Sequence, residues 1–92
     1  MKEKTIRDIV RLAKLYSRMY SSREIDICGV DSDQVQMAEQ SVVELAGQLG
    51  KTIEVIERGT DEMPLMARFW HDGVMFFSIG TQEEFNAVGI KV

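Results

Sequence analysis

Cysteine occurs once in the 92 residues, at Cys28, histidine once, at His71, and proline once, at Pro64. A single thiol cannot close an intramolecular disulfide, so the fold has to rest on packing, and a reducing compartment suits it. One cysteine and one histidine do not make a zinc site, and no metal or other cofactor is expected. No apolar run approaches the roughly 18 residues of a membrane helix and no hydrophobic leader follows Met1, so the expectation is a cytoplasmic protein without a membrane partner. A basic excess is also missing. Fifteen acidic against 11 basic residues leave a net charge of -4, which argues against nucleic acid. The basic residues of the first quarter, Lys2, Lys4, Arg7, Arg11, Lys14, Arg18 and Arg23, read as a solvated helix face rather than an anion site. Internal repeats, paired carboxylates placed for acid/base work and a phosphate-cradling glycine loop are absent as well.

What is present is the composition of one small globular domain over residues 1–92, 45% hydrophobic and 28% charged, which is enough to build a core. Residues 5–20 carry apolar side chains at helical spacing (Ile6, Ile9, Val10, Ala13, Tyr16, Tyr20), with Thr5 and Asp8 placed as a capped start. "EIDICGV", 24–30, alternates like a strand. Asp31, Ser32 and Asp33 offer N-caps to a second helix with the stripe Val35, Ala38, Val42, Leu45, Ala46 and Leu49, stopped at Gly50. "KTIEVIE", 51–57, reads as a second strand, and strand, helix and strand form a crossover unit with the two strands parallel. "LMARFW" and "VMFFSI" flank Asp72-Gly73, a hairpin signal, and place Phe69 and Trp70 on opposite faces, with His71 as a solvent-facing turn residue. Thr81 and Glu84 form a capping box for a last short helix before Gly89. The spacing thus predicts an α/β domain: a four-stranded mixed sheet with helices on both faces, its elements in the order helix, strand, helix, strand, strand, strand, helix, which is that of the thioredoxin-like fold with an additional N-terminal helix.

"IEVIERGTDEMPLMARF" and "GVMFFSIGTQEEF" resemble the glutaredoxin-like half-domains of archaeal protein disulfide oxidoreductases and of the N-terminus of the flavoprotein subunit of alkyl hydroperoxide reductase. Dithiol members of that family carry Cys-x-x-Cys in the loop after the first strand, where a helix N-terminus favours the thiolate. By the resemblance, that loop here is Ser32-Asp33-Gln34-Val35, without either sulfur. Pro64 matches the family's cis-proline, which implies a cis Met63-Pro64 bond presenting the Met63 backbone as a short edge for an extended peptide. Cys28, upstream of the loop, reads as a small buried hydrophobe ahead of a reactive monothiol.

The resulting expectation is a redox-inactive, thioredoxin-fold module that binds a protein or peptide through Ser32, Asp33, Met63 and Pro64, associated with a thiol redox system. Two readings stand beside it. One is a monothiol oxidoreductase using Cys28; the other is a homodimer formed through the first helix or an edge strand.

Overall fold

The computed structural model describes residues 1–22, 34–59 and 62–92, without the side chains of Tyr16, Ser17, Met19, Tyr20, Ser21 and Ser22. The elements are α1 (Glu3–Ser22), β1 (Gln34–Gln36), α2 (Glu39–Leu49), β2 (Glu54–Glu57), β3 (Leu65–His71), β4 (Val74–Gly80) and α3 (Gln82–Ala87). This is a mixed α/β fold with a four-stranded mixed sheet in the order β1-β4-β3-β2. β1 runs parallel to β4, while β3 is antiparallel to both β4 and β2. Among the described residues, no helix is long and apolar enough to cross a membrane.

The local signals held where they were strongest. Asp72 and Gly73 both adopt positive φ, 51° and 79°, the conformation a two-residue primed turn needs between right-twisted strands. Gly50 stops α2 at φ 67°, and its N–H bonds back to the last turn. Thr81 accepts a hydrogen bond from the Glu84 backbone N–H, and the Glu84 carboxylate accepts one from the Thr81 N–H, which closes the capping box of α3.

Several expectations need correction. The predicted strand at 24–30 lies outside the described residues. Val35, assigned to the second helix, belongs instead to β1, and α2 begins only at Glu39 with Ala38 at the N-cap and no side-chain cap bond. Asp31, Ser32 and Asp33 therefore do not cap it. Gln34, Val35, Gln36 and Met37 alternate exposed with half-buried, a period of two, and Met37 continues the pairing by donating its N–H to the Phe77 carbonyl at 2.8 Å. α1 starts two residues before Thr5, so Thr5 lies in its first turn rather than at its cap. His71 closes β3 instead of sitting in the turn, half-buried with Nε2 3.5 Å from Asp72. Met63–Pro64 is trans, as is every other described peptide bond. The trans form is the ordinary preference of X-Pro, and here it lets the Pro64 carbonyl accept the Arg58 N–H at 2.7 Å, the first rung of the β2–β3 ladder.

The crossover expected from 24–30 through the second helix to 51–57 begins outside the described residues, and α2 is flanked instead by β1 and β2. The two strands point the same way, but they occupy opposite edges of the sheet with β4 and β3 between them. The three described helices all pack on one face, where helices on both faces were expected. Ile6, Val10 and Ala13 of α1 and Val42, Leu45 and Ala46 of α2 cluster with Phe69, Val74 and Phe76. Phe85 of α3, with Ile90, meets Leu65 and Ala67 on that same face. The rings of Phe69 and Phe76, opposite each other across the hairpin, stack at 5.4 Å. Gly80 leaves room for Phe85, since a Cβ there would stand 3.1 Å from the ring and 3.3 Å from the Glu39 carboxylate.

Candidate functional site

A strand covered on one side still presents every second residue to the other. On β3 those residues are Met66, Arg68 and Trp70, and on β4 they are Met75, Phe77 and Ile79. The register arranges them in rows. Gln34, Met75 and Trp70 form the first, Gln36, Phe77, Arg68 and Glu54 the second, and Ile79, Met66 and Ile56 the third. None of the described helices covers this face, which is apolar through its middle and polar at both margins; among the described residues its one cation is Arg68, and of its hydrophobic side chains only Trp70 is exposed, Ile56, Met66, Phe77 and Ile79 being half-buried and Met75 buried.

Exposure and geometry distinguish its members. Trp70, the only tryptophan, is 51% exposed, whereas its cross-strand neighbour Met75 is 4% exposed. The Arg68 guanidinium lies against Met75, with Nη1 3.9 Å from the sulfur, and Nη2 donates to Glu54 Oε1 at 3.3 Å. Arg68 Nε is buried without a hydrogen-bond partner. The Arg68–Glu54 pair is open to solvent on the glutamate side, so it contributes well under about 1 kcal/mol. A guanidinium has five N–H groups, and those two contacts, one of them to a weak sulfur acceptor, leave donor capacity in the middle of an apolar surface.

A second feature adjoins it. Along the outer edge of β2 two shallow depressions of about 310 and 390 Å³ meet at Ile53 and Lys91, with Val55, Leu65 and Ile90 in their floor and walls and Lys51 and Glu57 at opposite ends. Among the described residues, β2 pairs only with β3.

Of the site residues expected from the sequence, Cys28, Ser32 and Asp33 lie outside the described residues. Met63 is 40% exposed, but its carbonyl already accepts a hydrogen bond from Arg58 Nη1 at 3.0 Å. Pro64 is half-buried at the start of β3. The structure therefore does not make Met63 an open pairing edge. The residues that sequence reasoning passed over are those of the uncovered face. Their signal was "VMFFSI", apolar on both faces of β4.

Comparison with protein families, with curated proteins and with solved structures finds no match to this chain.

Proposed function

We propose that this chain is a protein-binding module in which the sheet face opposite the described helices, centred on the exposed Trp70, docks an apolar protein surface carrying a carboxylate. The observation that carries this reading is Trp70, half in solvent beside Arg68 and the half-buried side chains of Ile56, Met66, Phe77 and Ile79. Aromatic and methionine side chains around an arginine are the composition of interface centres. The unsatisfied donors of Arg68 select the charge of the occupant. A carboxylate or carbonyl over the guanidinium is favoured in that partly dry setting. A second copy stacked face to face would bring two Arg68 cations together there.

The thioredoxin-like kinship would put binding at Ser32, Asp33, Met63 and Pro64. The trans Met63–Pro64 bond, the Arg58 hold on the Met63 carbonyl and the placement of β1 and β2 at opposite edges lend that location no support. Binding is therefore assigned to the sheet face.

Two synthetic amphipathic helical peptides, identical except for a central Glu or Lys on the apolar side, test the assignment through Trp70 fluorescence. The Glu peptide should shift the emission to the blue and bind about tenfold more tightly than the Lys peptide, a difference of about 1.4 kcal/mol. Replacing Arg68 with Met should erase that preference. Equal binding of the two peptides by the natural chain, or no change in Trp70 emission with either, would overturn the reading.

A further inference from the structure

The ladder fixes which way the β2 backbone points. The Arg58 N–H bonds to the Pro64 carbonyl, so in the β2–β3 register the pairs Ile56–Met66 and Glu54–Arg68 exchange hydrogen bonds, and Val55–Ala67 and Glu57–Leu65 do not. The N–H and C=O of Val55 therefore point away from β3, as do those of Glu57, and pairing of this edge would extend the alternation to Ile53, just ahead of β2. The side chains of Ile53, Val55 and Glu57 lie on the helix-bearing side of the sheet and line the groove described above.

From this geometry we infer that β2 pairs antiparallel with β2 of a second copy, about a two-fold axis passing beside Glu54. That register is the one in which the outward groups of Ile53 meet those of Val55, twice, giving four backbone hydrogen bonds between the chains. It sets Ile53 beside the second copy's Val55 and Lys51 beside the second copy's Glu57, each contact occurring twice by symmetry. Lys51 and Glu57 are both exposed and stand at opposite ends of the groove, so the edge is complementary to itself. Lys51 takes part through its side chain, because its N–H is held by the Ala46 carbonyl at 2.8 Å. The two Glu54 carboxylates face each other on the opposite side of the sheet, each neutralised by its own Arg68 at 3.3 Å. The product is one continuous sheet of eight strands, with the two uncovered faces side by side. Two short strands bury far less than the roughly 1,200 Å² of stable complexes, so the association is weak and depends on concentration.

Sedimentation equilibrium of the natural chain, up to a protein concentration of about 1 mM, tests the pairing. A dimer is expected. K51E or E57K alone should weaken it about tenfold, since each turns two attractive contacts into repulsive ones, and the double swap K51E/E57K should restore it to within about threefold. V55P removes an N–H that points away from β3, together with a partly buried side chain packed on the Leu65 and Ala67 cluster, so it should abolish dimerisation and cost some stability while the far-UV circular dichroism stays native. The charge swap carries the test if V55P fails to fold. A chain that is monomeric throughout this range overturns the proposal. So does a dimer indifferent to the charge swaps, or one dissolved by W70S, which would place the second copy on the sheet face instead.

Discussion

The two faces of the β3–β4 hairpin are nearly equal in apolar character and opposite in fate. Toward the helices it presents Leu65, Ala67, Phe69, Val74, Phe76, Ser78 and Gly80, and toward the other side Met66, Arg68, Trp70, Met75, Phe77 and Ile79. Hydrophobicity does not separate them. Size does: the covered face mixes large residues with Ala67, Ser78 and Gly80, all buried, which let α3 bring Phe85 close to the strands. Every residue of the uncovered face is large, and one is charged. A face graded in size fits one set of helices, while a face of long, adaptable side chains around a cation suits a partner from outside.

Mutations on the covered face should therefore cost stability, and those on the uncovered face should cost binding. Phe85→Ala is expected to have the largest effect, about 3–5 kcal/mol of unfolding free energy in a urea titration, because a fully buried ring leaves a cavity. Gly80→Ala should lose about 1–3 kcal/mol by the same measurement, since its Cβ would crowd the Phe85 ring at 3.1 Å and the Glu39 carboxylate at 3.3 Å. Thr81→Ala removes the capping bond to Glu84 at 3.2 Å and should cost about 1 kcal/mol, with Thr81→Ser close to neutral. Trp70→Ser should cost only about 1 kcal/mol in stability, since about half of the side chain is exposed, yet abolish binding of the acidic helical peptide. A loss comparable to that of Phe85→Ala would erase the distinction between the faces. Glu54→Gln is expected to be the mildest, within about 0.5 kcal/mol in stability, because its ion pair with Arg68 is largely open to solvent.

The parts legible in the sequence are those decided within a few residues. Asp72-Gly73 specifies its turn because both positions need positive φ, Gly50 ends α2 for the same reason, and Thr81 with Glu84 satisfies helix N–H groups three residues apart. The stripe of α1 fixes its buried side through Ile6, Val10 and Ala13 whatever lies beneath. What only the tertiary structure decided involves residues far apart in the chain. Val35 fits a helical stripe with Ala38 and Val42 equally well, and pairing with Phe76, forty-one residues later, makes it a strand residue. Met63–Pro64 keeps the isomer that X-Pro ordinarily prefers, and what the tertiary structure adds is the Arg58 N–H bond to the Pro64 carbonyl that opens the β2–β3 ladder. The run "VMFFSI" is apolar on both sides, so local periodicity was silent about which side the helices would cover. On the side the described helices cover, Ala67 and Gly80 lie close to Phe85, and Gly80 also to Glu39 of α2, an approach that only the assembled sheet reveals.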